Sequence, residues 1–232
     1  MAHAPKLISE TLQELLSDLE VAAVHIGMLG NADSARAVVA FLREARLPHV
    51  VLDPILKSSS GSDLVDAAGT RLMMDELIPL AEVVTPNLDE AGALTSMAVT
   101  DLGQMREAAA SLHAQGAANV VITGGHMEKA IDLLSFTTAR GVEQEVFKAD
   151  RQKSSSTHGT GCAFATALAC HLAHGRGLPE AVLLAKAYVS AAISNAHPLG
   201  RGIGPLHHLY RINRQQRRSG MVAEPETAHS RK

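Results

Sequence analysis

The 232-residue sequence predicts an α/β fold, with a mostly parallel sheet between two layers of helices. Short, uniformly apolar runs alternate with longer helical segments, as a doubly covered sheet requires. The runs stop at Asp-Pro, Thr-Pro-Asn and Gly-Gly, and these ends carry the polar residues. With no tryptophan, two tyrosines and four phenylalanines, the core falls to Ala, Val, Leu, Ile and Met, which suits helices packed closely on strands.

A helix over Leu7–Leu19 opens the chain. Val21–Ile26 (VAAVHI) reads as the first strand, ending at Gly27. Ala32–Ala45 follows as a helix whose apolar face is Val38, Val39, Phe41 and Leu42. His49–Leu52 is a second buried strand, stopped by Asp53-Pro54. Asp63–Leu80 is expected to be largely helical despite Gly69. Glu82–Thr85 is a third strand, cut by Pro86, with Asn87 capping a helix through Leu94. Asp101–Gln115 forms another helix, and Asn119–Thr123 a fourth strand ending in Gly124-Gly125. Ala130–Thr137 and Gln144–Ala149 read as a strand pair. Two long helices close the domain near Cys162–His174 and Pro179–Ala196. Residues 1–212 are thus expected as one domain, and the polar, aperiodic segment 213–232 as a disordered tail.

Composition excludes several classes. A net charge of −3 and a pI near 6.4 argue against a nucleic-acid binder, which normally presents a basic face. No apolar run approaches the ~20 residues of a membrane span. The start lacks the apolar core of a secretory signal. Cys162 and Cys170 share one predicted helix about 12 Å apart, too far for a disulfide. With neither CxxC nor HExxH present, a reducing cytoplasmic setting without structural metal is expected.

The most informative stretch is Ser156-Thr157-His158-Gly159-Thr160-Gly161-Cys162, a glycine-rich turn that feeds a helix. Such a turn aims free N–H groups and the positive end of the helix dipole at one spot, which suits an anion. Cys162 stands in the first turn, where the helix N-terminus is expected to bias its thiol toward thiolate. Asp53 ends a buried strand, and Glu90 lies three residues after Asn87. That spacing serves equally as a capping box or, with Asp53, as a magnesium site. Neither a Walker loop nor a GxGxxG turn in a strand-to-helix context is present.

Seven pieces stand together in one order: VHIGMLG (24–30), VVLDPIL (50–56), VVTPNLDEA (83–91), VVITGGH (120–126), DLL (132–134), STHGTGCAFATALA (156–169) and AKAYVSAAISNAHPLGRGIGPLHH (185–208). In this combination the chain resembles the ribokinase-like superfamily, within it the hydroxymethylpyrimidine and phosphomethylpyrimidine kinases of thiamine biosynthesis. The resemblance implies a three-layer αβα kinase that uses ATP and Mg²⁺ to phosphorylate a small pyrimidine. It maps Gly159, Thr160 and Gly161 onto the anion hole and Cys162 onto the catalytic base beside the substrate. It implies that Asp53 and Glu90 organise magnesium. Asn87, Thr123, Gly125 and Lys186 fall on the nucleotide side, and Met28 packs on the pyrimidine ring. For Lys186 taken alone, a solvated helix face is the simpler expectation; Met28 alone reads as core. Pairing into homodimers is also implied.

Two departures stand out. The family's opening strand with its Gly-Ser-Asp segment and the small flap after it do not occur in this sequence, so an open sheet edge is expected. Thr123 stands where related stretches often carry lysine. The rivals are a pyridoxal-type kinase, a nucleotide- or pyrimidine-binding relic without activity, and a cysteine hydrolase using Cys162 with His158 as base.

Overall fold

The computed structural model describes residues 4–58, 61–125, 130–150, 152 and 154–212. The expected tail, 213–232, lies outside the described residues. One six-stranded sheet runs in sequence order: β1 Val24–Ile26, β2 Val50–Leu52, β3 Val83–Val84, β4 Asn119–Gly124, β5 Ala130–Thr138 and β6 Gly141–Ala149. The first four strands are parallel, and β5 and β6 join antiparallel. Among the described residues, β1 and β6 are the sheet edges.

Because β1 to β4 advance in one direction, right-handed crossovers put their connecting helices on one face. That face carries α2 (Ala32–Ala45), α3 (Ala67–Leu72), α4 (Leu88–Thr95) and α5 (Leu102–Ala114). Their apolar residues meet Val50, Leu52, Val84, Val120, Ile122 and Leu133. The alternate strand residues Val51, Val83, Val121 and Leu134 point the other way, under α6 (Thr160–Ala173) and α7 (Leu178–Ser194). Strand residues buried on both faces explain the uniformly apolar runs. The first helix, α1 (Pro5–Asp18), has no buried residue and packs on α2. No helix of the described residues is long and apolar enough to cross a membrane.

Most elements fall where the sequence puts them, with three corrections, one being that β6 begins at Gly141 rather than Gln144. The first strand begins at Val24 rather than Val21, where pairing with Val50 starts. The expected helix over Asp63–Leu80 shrinks to α3, capped by Asp66, whose Oδ1 accepts from Gly69 N at 2.6 Å. It continues as a π-helical turn, Met73–Leu77, and a 3₁₀ turn, Ile78–Leu80. Pro79 has no N–H to give to Asp75, so the α pattern cannot run on to Leu80.

Candidate active site

Parallel strands bring their C-terminal ends to one side of the sheet. Met28 follows β1, Asp53 follows β2, Asn87 and Glu90 follow β3, and Thr123 and Gly125 lie at the end of β4. Local bonds hold these ends together. Asp53 N donates to Ile26 O at 2.8 Å, and Thr123 N to Pro86 O at 2.9 Å. Asn87 and Thr123 also form a parallel bridge.

Against these ends sits the first turn of α6. Gly159 occupies its N-cap with φ +80°, a left-handed conformation that favours glycine. The first helical bond is Ala163 N to Gly159 O at 2.9 Å. The amides of Thr160, Gly161 and Cys162 precede it and point out of the helix, as an anion hole needs. Gly161 faces the carboxylate: a Cβ built there would make ordinary contact, 3.8 Å, with Asp53 Oδ2. Cys162, in the same turn and open to solvent, donates its thiol proton to Asp53.

The charge balance corrects one expectation. The helix N-terminus was expected to favour thiolate at Cys162. Instead partial burial, the Asp53 charge and hydrogen bond, and the Glu90 charge push the thiol up to about 11. Burial first, and then two nearby carboxylates, outweigh one helix dipole, which offers about half a charge. Burial also raises the acids. Burial lifts Asp53 to about 6, although the Cys162 hydrogen bond opposes it. Burial and the Asp53 charge lift Glu90 to about 7, against hydrogen bonds from the amides of Asn87 and Leu56.

Glu90 serves both alternatives left open by its spacing. Its Oε2 accepts from Asn87 N at 2.9 Å while Asn87 Oδ1 accepts from Glu90 N at 2.9 Å, a complete capping box. The same buried carboxylate feels the Asp53 charge and acts electrostatically on Cys162. Lys186 is a second correction. It is 9% exposed, not on a solvated face, and its Nζ donates to Asp132 Oδ2 at 2.6 Å and Ala130 O at 3.2 Å. Asp132 Oδ1 in turn accepts from Gly124 N at 3.0 Å. Lys186 is thereby tied to the end of β4, beside Gly125. Met28, expected to resemble core if taken alone, stands 61% exposed on the loop after β1.

The sequence matches a known family. The family profile described as phosphomethylpyrimidine kinase covers residues 1–207. The chain belongs to the phosphomethylpyrimidine kinase family. Its relatives include the hydroxymethylpyrimidine/phosphomethylpyrimidine kinase of Haemophilus influenzae, 37% identical over 88% of this chain and 76% of that protein. The thiamine biosynthesis bifunctional protein ThiED of Geobacter sulfurreducens is 42% identical over 88% of this chain. This chain spans 41% of that longer protein. Among solved structures, a Bacillus subtilis pyridoxal kinase in an ADP complex superposes with TM-score 0.80 at 33% identity, over 90% of this chain and 77% of that one. A Clostridium difficile phosphomethylpyrimidine kinase gives 0.70 at 28% identity, over 82% and 76%. The sheet and helix layers described above are therefore the ribokinase-like fold.

Two residues of this family member escaped the sequence reading. His25 on β1 shares a 2.9 Å hydrogen bond between Nδ1 and Thr166 Oγ1 of α6, and its Nε2 lies 3.9 Å from Asp53 Oδ2. That Nε2 is buried and has no hydrogen-bond partner. Burial lowers its pKa, favouring the neutral ring. Asp132 is the other. Both had the same available signal, a titratable residue inside an otherwise apolar strand, which burial makes costly without a partner.

A divalent cation fits the donor set. Asp53 and Glu90 are buried acids, and the Asp53 charge adds to the burial that raises Glu90. Two carboxylates completed by water and phosphate oxygens are what Mg²⁺ commonly takes. No group of three or more His, Cys, Asp or Glu able to hold a metal occurs among the described residues, so phosphates would have to complete the shell.

Proposed function

We propose that this chain transfers the terminal phosphoryl group of ATP to hydroxymethylpyrimidine and to its monophosphate, as its family relatives are named for doing. The convergence of Asp53, Glu90 and Cys162 on the first-turn amides of α6 carries this proposal. The Thr160, Gly161 and Cys162 amides gather the charge on the moving phosphoryl group, and the helix dipole adds to them. With magnesium on Asp53 and Glu90 offsetting the charges that help hold the thiol proton, Cys162 would lose that proton to solvent and, as thiolate, take the proton from the attacking substrate oxygen. Magnesium, held by Asp53 and Glu90, would supply positive charge to the ATP phosphates.

Asn87, Thr123 and Gly125 border the nucleotide phosphates at the ends of β3 and β4. Lys186 reaches the same region through Asp132 and Gly124. Met28, exposed beyond β1, offers the apolar surface for the pyrimidine ring. A cytoplasmic setting and pairing with a second copy accompany this proposal.

The deciding experiment is ADP release with Mg-ATP and hydroxymethylpyrimidine phosphate, with Cys162→Ala alongside. Substrate-dependent turnover that falls about 10²- to 10⁴-fold in the variant is expected for loss of a general base. Turnover undiminished in Cys162→Ala would remove the thiol from the chemistry. The 0.80 TM-score to a pyridoxal kinase makes pyridoxal the necessary competitor; preferred turnover of pyridoxal would reassign the substrate.

A further inference from the structure

The segment ending in Gly204-Pro205-Leu206 is laced to the chain on both sides of the α6 turn. Ahead of the turn, Gly204 N donates to Ser155 O at 2.8 Å, and His158 N donates to Gly204 O at 3.0 Å. His158 and Pro205 complete a short parallel bridge. Beyond the turn, Leu206 is buried with Ala163 and Ala192, and His207 N donates to Ala192 O at 3.2 Å. Residues 159–162 therefore lie between two anchor points of one crossing segment.

The crossing depends on an absent side chain. A Cβ on Gly204 would lie 2.7 Å from Ser156 Oγ and 3.5 Å from Ser156 Cβ. Ser156 is 1% exposed, so its hydroxyl has little room to swing aside. Gly204 is not among the residues with positive φ; the requirement is for space rather than for a left-handed backbone.

We propose that Gly204 is a positioning residue for phosphoryl transfer. Its lack of a side chain lets the 204–206 strap close on Ser156 and hold the Gly159–Cys162 amides in place. This rests on the kinase chemistry proposed above. The strap touches the turn's flanks and not the reacting atoms, so it acts through the geometry of the anion hole. Misplacing such donors by about 1 Å can cost on the order of 10²-fold in rate.

The test compares the unaltered chain with Gly204→Ala, Ser156→Ala and the double variant. Gly204→Ala is expected to lower kcat and kcat/KM together by about tenfold or more, with KM for ATP held within about twofold, as loss of a transition-state contact requires. Amide hydrogen exchange over 156–162 should rise with it. Ser156→Ala alone should match the unaltered chain. In the double variant the nearest remaining contact is the 3.5 Å one to Ser156 Cβ, so both turnover and exchange should return to within about twofold. Gly204→Ala with unchanged turnover and exchange would overturn the proposal. So would a folded double variant that recovers neither. If Gly204→Ala alone does not fold, recovery in the double variant still supports the steric requirement. If the unaltered chain shows no turnover, the kinase proposal fails separately, and exchange alone decides whether the strap holds the turn.

Discussion

Cys162 carries the sharpest electrostatic conflict in the molecule. A cysteine at N3 of a helix normally gains thiolate character, yet here it donates to Asp53 and feels Glu90 as well. Cation-free protein should therefore hold Cys162 as a thiol at neutral pH. Iodoacetamide, which reacts with thiolate, should label it slowly at pH 7.5 and faster as pH climbs toward 11. Asp53→Asn removes the charge and leaves only a neutral acceptor oxygen, lowering the thiol pKa. Each unit of lowering raises thiolate, and hence labelling, about tenfold. Mass spectrometry of the Cys162 peptide, with Cys170 as the internal comparison, reads this directly. Equal labelling with and without the Asp53 carboxylate would show that Asp53 does not control the thiol.

At the scale of elements, α4 shows one residue with separable roles. Glu90 closes the capping box at the start of α4 and also presents a buried charge to Asp53. Glutamine retains a capping oxygen, whereas alanine does not. Glu90→Ala is expected to cost about 1 kcal/mol from the lost hydrogen bond to the Asn87 amide, less whatever relief follows from removing the buried charge. Glu90→Gln should keep the cap, melt no lower than the parent at pH 7.5, and lose magnesium-dependent stabilisation. Melting curves with and without Mg²⁺ separate these outcomes; full magnesium stabilisation in Glu90→Gln would rule out its carboxylate as a ligand. The Lys186–Asp132 pair is a second tie, from α7 to β5, with the Gly124 amide joining it to β4. Removing one member of such a buried pair strands the other's charge.

For the whole molecule, the buried acids link stability to pH. Asp53 near 6 and Glu90 near 7 bind protons more tightly folded than unfolded, where values near 3.8 and 4.5 apply. Their favourable contribution is complete below about pH 4 and is lost as pH rises through 6 and 7. Cation-free protein should be less stable at pH 7.5 than at pH 5 by on the order of a few kcal/mol from these two groups. His25, its pKa lowered by burial, works in the opposite sense below about 6.5. The Asp53→Asn/Glu90→Gln double variant isolates the carboxylate part and should flatten the fall. Mg²⁺ should raise the parent's melting temperature at pH 7.5. Parent and double variant with identical pH profiles would contradict the link.

What the sequence determined by itself was local or repeated along the chain. Apolar runs marked the strands, Asn87 and Asp101 marked helix starts, and GTGC marked the turn that opens α6. These signals were legible because a doubly buried strand must be apolar throughout and a helix end must find capping groups nearby. Tertiary structure alone decided the state of charges and close approaches. Nothing within a few residues of Lys186 shows that it is buried against Asp132, 54 positions away. Likewise, nothing near Cys162 in sequence reveals Asp53 as its hydrogen-bond acceptor, or Gly204 as the residue against Ser156. Desolvation and steric exclusion act through space between elements, so the sheet's strand order had to bring those residues together first.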